Sequence, residues 1–258
     1  MERPMSHIIS PALASSVDSF IAAYGPSTKS FISFTTNRDF DPDINTPWQE
    51  SAERLGDLVE SRTGKERVRI VFAGQVHGKT VSACMNTEPG IDRVENCDAL
   101  ITNAANVMLV IRTADCVPLV LLDEQAHICA AVHAGWKGTL ENVTAETVAA
   151  MRRLGASTER IRAWVGPAVS EKCYEVDADL MARFQERYGN LGRFSNDMKL
   201  DLSELNVLQA VETGIPSEFI ARSNLCTYSL KHLFHSHRRQ GTLRGHQFTI
   251  CGFLDDKK

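Results

Sequence analysis

Four apolar runs crowd into the middle of this chain: Asp98–Thr102, Val107–Ile111, Leu119–Leu122 and Ile128–Val132. All are of strand length and only short segments separate them. Val107-Met108-Leu109-Val110-Ile111 is apolar at every position, so both of its faces need cover. Strands of that kind sit centrally in a sheet that carries a further layer on each side. A layered α/β architecture follows, and the rest of the chain must supply the outer layers.

The flanking sequence offers them. Phe31–Phe34 reads as a strand and Asn37–Pro47 as a loop. Trp48–Ser61 reads as a helix on Leu55, Leu58 and Val59. Val68–Phe72 is β-branched and leads into His77, and Thr80–Cys84 is a further strand candidate. Gly138–Leu154 has Val143, Thr147, Met151 and Leu154 at helical spacing, with Gly155 as its stop. Ile161–Val165 reads as a strand. Asp177–Tyr188 and Ser203–Thr213 read as helices, the second closed by Gly214 and Pro216. Strands return at Phe219–Ala221 and Phe248–Phe253. Residues 1–30 carry little pattern. No repeat, low-complexity tract or linker divides the 258 residues, which predicts one α/β domain.

Composition narrows the function classes. A formal charge of −4 argues against a general nucleic-acid binder. Seven cysteines, odd in number and scattered, suit a reducing compartment rather than a disulfide framework. The first residues mix Pro, Ser and Asp into their apolar stretch, unlike a signal peptide. No apolar run reaches the roughly 20 residues that span a bilayer. The expectation is a cytoplasmic protein with no membrane partner, working as a monomer or weak homodimer.

Three segments share one setting: Gln75-Val76-His77-Gly78, Thr113-Ala114-Asp115-Cys116-Val117-Pro118 and Ala131-Val132-His133-Ala134-Gly135-Trp136-Lys137-Gly138-Thr139. In each, an apolar run gives way to a small or polar turn. Two imidazoles and a thiol suit a three-ligand metal site with an open fourth position. They equally suit a Cys/His catalytic pair. Taken singly, Cys116 beside a proline reads as core, and each histidine near a glycine as a surface or capping residue. Asp98 and Asp115 are candidates for the acceptor behind a ligand imidazole or for proton transfer; both also read as strand-end caps. Near the C-terminus, Phe234-His235-Ser236-His237-Arg238-Arg239-Gln240-Gly241 pairs two guanidinium groups, which suit a phosphate or carboxylate, or form a solvated turn. His235 and His237 would share a face if they lay in a strand.

Taken in order, Cys97-Asp98-Ala99-Leu100-Ile101-Thr102, Thr113 to Pro118, Val132 to Thr139, Val165-Gly166-Pro167-Ala168, Cys173-Tyr174-Glu175-Val176 and Cys226-Thr227-Tyr228 resemble the zinc-dependent purine nucleoside phosphorylases of the YfiH type, also known as laccase-domain or multicopper polyphenol oxidase proteins. The resemblance covers residues 65–255. It implies a four-layer α/β/β/α sandwich with mixed sheets. It implies zinc, with copper the lesser choice, held by His77, Cys116 and His133. It implies phosphorolysis of adenosine, inosine, guanosine and methylthioadenosine, with adenosine deamination beside it. The partners are then a purine nucleoside and phosphate. Catalytic roles fall on His77, Cys116, His133 and Asp115, and substrate contacts on Arg238, Arg239, Lys137 and Asp98, the cations assigned by charge type. Two segments depart from the family pattern. Phe34-Thr35-Thr36-Asn37-Arg38-Asp39-Phe40 lacks the family's Gly pair, and in Leu243-Arg244-Gly245 the arginine of the family's T-G-R segment is displaced by one position, onto Arg244.

Three other functions compete. A Cys/His hydrolase with Cys116 as nucleophile and His133 as base would act on an amide or peptide-precursor substrate. A laccase-type oxidase needs more histidines than the 8 in the chain, of which His77 and His133 alone lie in matched motifs. A non-catalytic metabolite-binding module is the third.

Overall fold

The structure is a computed structural model that describes residues 20–28, 30–41, 46–64, 68–192, 194–242 and 245–255. Strands are β1 Ile21–Tyr24, β2 Phe31–Thr36, β3 Arg69–Ala73, β4 Val81–Ala83, β5 Gly90–Val94, β6 Ala99–Thr102, β7 Val107–Thr113, β8 Val117–Asp123, β9 Ile128–Ala134, β10 Arg162–Val165, β11 Ser195–Asn196, β12 Lys199–Leu200, β13 Ile220–Arg222 and β14 Gln247–Phe253. Helices are α1 Trp48–Thr63, α2 Trp136–Leu140, α3 Val143–Arg153, α4 Ala178–Tyr188, α5 Leu202–Glu212 and α6 His237–Gln240.

Two six-stranded sheets form, in the orders β1-β2-β14-β7-β3-β5 and β13-β10-β8-β9-β6-β4. Both are mixed. β3 runs parallel to β5 and β7, whereas β14 is antiparallel to β2 and β7. In the second sheet β10–β13 and β4–β6 are parallel and the central pairs antiparallel.

The alternation of β7 shows how the layers stack. Val107, Leu109 and Ile111 pack between the sheets against Val120, Leu122, Cys129, Ala131 and Trp164. Met108 and Val110 face the other way, into Leu55, Leu58 and Val59 of α1. The outer face of the second sheet buries Leu119, Leu121, Ala130 and Val132 under Val148 and Met151 of α3, Phe184 of α4 and Leu205 of α5. Each buried Val, Leu, Ile, Met or Phe side chain among them is worth about 1.5–3 kcal/mol when removed from water. The result is a four-layer α/β/β/α sandwich, as the resemblance implied, and the fully apolar Val107–Ile111 run is its double-faced central strand.

Several elements differ from their sequence reading. The helix expected over Gly138–Leu154 is two helices, because Asn142 between α2 and α3 takes a left-handed conformation at φ 70°. Asparagine adopts that conformation at least cost among non-glycine residues. β8 starts at Val117, so Pro118 lies inside a central strand. It is tolerated there because pairing with β10 begins only at Leu119, and the Pro118 carbonyl accepts from Gly166 N–H at 2.9 Å. β1 and β5 had no expected counterpart; β5 is exposed or half-buried along its length and has no apolar run to reveal it. His235 and His237 do not share a strand face. Ser236 caps the short α6, leaving His235 buried before it and His237 exposed on it. Much of the unpatterned start, residues 42–45 of the loop before Trp48, and the shifted Leu243 and Arg244 lie outside the described residues. No helix among the described residues is long and apolar enough to cross a membrane.

The sheet order also places three ends together. β7 leaves the first sheet and turns through Ala114–Cys116 into β8 of the second. The loop after β3 and the end of β9 lie at that same edge.

Candidate metal centre

Backbone strain marks the loops at this edge. Gln75, His77 and Asp115 all have positive φ, at 56°, 61° and 94°. Such conformations cost non-glycine residues about 1–3 kcal/mol each and persist where surrounding bonds over-determine them. Those bonds are present. The Gln75 amide donates to Arg112 O at 2.6 Å and accepts from Arg112 N–H at 2.9 Å, fastening the β3 loop to the end of β7. Asp98 accepts from the backbone N–H groups of Val76, His77 and Gly78 at 3.3, 2.9 and 2.7 Å. Asp115 accepts from Thr227 Oγ1 at 2.6 Å, Ser236 Oγ at 3.0 Å and the Arg238 N–H at 2.7 Å.

These loops bring His77, Cys116 and His133 together, with one ligand atom from each lying within 4.8 Å of the others. The two imidazole centroids are 4.8 Å apart and nearly perpendicular. His133 is buried, Cys116 half-buried and His77 exposed, so the cluster opens to solvent on the His77 side. Asp98 Oδ1 lies 2.8 Å from His133 Nδ1, which fixes the ring and leaves Nε2 for the cluster. Gly135 completes the cradle. A Cβ there would lie 3.1 Å from His77 Cδ2 and 3.2 Å from Cys116 Sγ, closer than most side chains tolerate.

The electrostatics suit a cation. Burial alone would push the Cys116 thiol up; the positive charge on His133, with hydrogen bonds from His133 and His77, outweighs it and brings the thiol down to about 6. Burial pulls His133 down, and the Cys116 charge with the Asp98 hydrogen bond lifts it to about 9. Asp98 is held below its ordinary value: burial opposes ionisation, and the His133 and backbone hydrogen bonds overcome it. Metal-free, the cluster is a thiolate–imidazolium pair. The three ligand atoms, all within 4.8 Å of one another, lie close enough to share one cation. The residues fit such an ion.

The other expected site residues are placed differently. Asp98 is fully buried beneath His133 with both oxygens engaged, so a direct substrate contact is replaced by a positioning role. Asp115 touches none of the three donors in its hydrogen bonding. It ties the Cys226–Tyr228 and Ser236–Arg238 segments to the turn that carries Cys116. Arg239 donates to the carbonyls of Thr227, Tyr228 and Phe234, so its fork holds a loop rather than facing a ligand. Arg238 is exposed and lies over the Tyr174 ring, 5.1 Å from its centroid. Lys137 is exposed, 3.9 Å from Glu141 one turn on. Gln75, Thr227 and Tyr174 carry no role in the sequence reading. The short Cys173–Val176 and Cys226–Tyr228 segments were the signal that pointed to two of them.

Residues 47–253 match the profile of the family described as multi-copper polyphenol oxidoreductase laccase. The chain belongs to this family. It is 32% identical over 246 residues to the purine nucleoside phosphorylase YlmD of Bacillus subtilis, covering 90% of this chain and 86% of that one. It is 35% identical over 162 residues to adenosine deaminase RL5 from an unknown prokaryotic organism, a match spanning 62% of that relative's length. The crystal structure of YlmD from Geobacillus stearothermophilus superposes with a TM-score of 0.78 at 25% identity, over 88% of this chain and 93% of that one. A Bacillus licheniformis YfiH structure gives 0.76 at 24% identity and shares the fold. The family description speaks of several coppers. Among the described residues, the one group of three or more metal-ligating side chains is His77, Cys116 and His133.

Proposed function

We propose that this chain is a zinc-dependent purine nucleoside phosphorylase that also deaminates adenosine at the same site. The observation that carries the reading is the convergence of His77, Cys116 and His133 within 4.8 Å at a solvent-facing edge. The relatives named purine nucleoside phosphorylase and adenosine deaminase support the substrate class. Zinc suits two imidazoles and one thiolate in a three-ligand site with an open position. Bound there, it supplies Lewis acidity and activation of water at neutral pH.

The chain's own residues do the rest. His77, Cys116 and His133 would hold the ion, Asp98 orients His133 by Nδ1, and its bonds to the Val76–Gly78 backbone aim His77. In phosphorolysis a phosphate oxygen forms the new bond to the ribose anomeric carbon. The bond to the purine nitrogen breaks, and the base leaves with that electron pair and takes up a proton. Phosphate is the nucleophile, so the chain must chiefly bind and orient both reactants. Arg238 is an exposed cation whose backbone N–H is bonded to Asp115, the residue before Cys116.

A nucleoside panel on zinc-loaded protein, with and without phosphate, tests this. Phosphate-dependent release of purine and ribose 1-phosphate is expected, together with phosphate-independent conversion of adenosine to inosine. Absence of both rejects the proposal. One observation favours a second reading: the depressed Cys116 thiol paired with His133 is also the arrangement of a Cys/His hydrolase. Full activity in zinc-free protein selects that reading.

A further inference from the structure

Tyr174 follows the 3-10 turn Glu171–Cys173, is half-buried, and lies near enough to Cys116 and Arg238 for their charges to act on its phenol. No step proposed above uses it. Its ring lies under the Arg238 guanidinium, whose Cζ is 5.1 Å from the ring centroid. The Arg238 backbone N–H is fixed to Asp115 Oδ2 at 2.7 Å, and Asp115 adjoins Cys116. Asp115 is fixed in turn by Thr227 and Ser236. Arg238 is therefore referenced to the metal edge twice, through its main chain by Asp115 and through its side chain by Tyr174.

The guanidinium has no carboxylate or hydrogen-bond partner among the described residues. Arg239 beside it is filled by loop carbonyls, and Lys137 faces Glu141. Burial first, then the Cys116 charge, pushes the Tyr174 phenol up to about 12, with Arg238 pulling the other way. The phenol is thus protonated at neutral pH. A purine nucleoside is uncharged at the sugar and base, so a free cation at the mouth has little to offer it. An oxyanion is what a planar five-donor fork binds best.

We propose that Tyr174 is a positioning residue whose ring holds Arg238 as an oxyanion-binding arm at the mouth of the metal site, and that the oxyanion is the attacking inorganic phosphate. This rests on the phosphorylase reading for its consequence in catalysis, though not for the binding itself. The ring acts through cation–π attraction, worth about a factor of 2–5 at a partly exposed site. The guanidinium acts through charge-assisted hydrogen bonds, worth about tenfold or more.

The experiment compares Tyr174→Phe, Tyr174→Leu, Arg238→Lys and Arg238→Ala in zinc-loaded protein. Phosphate and inosine are varied independently and bound zinc is measured on the same samples. Tyr174→Phe keeps the ring and should match the wild type. Tyr174→Leu should raise the KM for phosphate about threefold to fivefold, with the KM for inosine and the zinc content unchanged. Arg238→Lys should raise it further, because a point charge replaces the fork. Tyr174→Leu added to Arg238→Ala should change nothing more. An unchanged phosphate KM in Tyr174→Leu overturns the proposal, and so does a loss in Tyr174→Phe as large as in Tyr174→Leu. A parallel loss of inosine affinity and zinc assigns Tyr174 a general structural role and overturns it too. Titration calorimetry with inorganic phosphate separates this from the phosphorylase reading. If wild-type protein cleaves no nucleoside yet binds phosphate, and Tyr174→Leu binds it more weakly, the arm stands and the reaction falls. If the wild type binds no phosphate, the arm falls.

Discussion

Asp98 holds His133 through its ring nitrogen and His77 through its backbone N–H, so both imidazoles depend on one buried anion. Asp98→Asn keeps an acceptor but removes the charge and one lone-pair set. It should weaken zinc binding by about 10–100-fold, the usual effect of losing the carboxylate behind a ligand histidine. Competition with a chromogenic chelator measures this, and wild-type affinity in the variant would remove Asp98 from the site. The thiol gives a second test at this scale. In zinc-stripped protein Cys116 titrates near 6, below the ordinary thiol value of 9.0. The reactive thiolate is thus present above about pH 6 and is lost as pH falls through it. Iodoacetamide labelling of the Cys116 peptide, followed by mass spectrometry, should reach half its maximal rate near that pH. Reading the peptide itself matters because Cys226 is also lowered, to about 7, where hydrogen bonds from Ser170 and Ser229 outweigh burial. Zinc should protect Cys116 throughout. A half-maximum near 9 would show that no imidazolium faces the thiolate.

At the level of elements, the start of α2 closes the metal cradle. Gly135 has an ordinary extended backbone, φ −71° and ψ 175°, so Gly135→Ala leaves the chain path open to it. The added methyl nevertheless meets His77 and Cys116. Zinc affinity should fall about tenfold while the melting temperature of zinc-free protein stays within the range of a neutral surface change, about 0.5 kcal/mol. Unchanged zinc affinity would show that the cradle has slack. The same region shows what a sequence can disclose. β7, β8, β9 and α1 were legible because apolar periodicity is a local property, and buried runs such as Val107–Ile111 state their own surroundings. The convergence of His77, Cys116 and His133 was foreshadowed because their residue types and the small or polar turns that carry them are local too. The break at Asn142 was not, since it rests on one residue's tolerance of a left-handed conformation within a helical pattern. The role of Asp115 was not either. Its partners Thr227 and Ser236 lie 112 and 121 residues away, and only the fold brings them to it. Arg239 misled for the same reason: charge type suggested a ligand, and the carbonyls that fill its fork become neighbours only on folding.

Across the whole molecule, the three donors come from both sheets. His77 follows β3 of the first sheet, His133 lies on β9 of the second, and Cys116 sits in the turn that passes the chain from one to the other. An ion held there is a cross-link between layers that otherwise meet through apolar packing. Binding to the folded state alone stabilises it by about 2.7 kcal/mol when free zinc is 100 times its dissociation constant. About 1 kcal/mol moves the melting temperature of a chain near this size by roughly 2–4 °C, so stripping the metal should lower it by about 5–10 °C. The apolar core between the sheets does not depend on the ion, so far-UV circular dichroism should be unchanged by stripping. Zinc should restore the melting temperature and magnesium should not, because a thiolate and two imidazoles are poor ligands for a hard cation. In Cys116→Ala the difference between stripped and zinc-supplied protein should shrink toward zero, and phosphate-dependent cleavage should vanish with it. If stripped and loaded wild-type protein melt together, the cluster does not bind zinc in the folded state. The thiolate–imidazolium pair of Cys116 and His133 then becomes the chemistry of the edge.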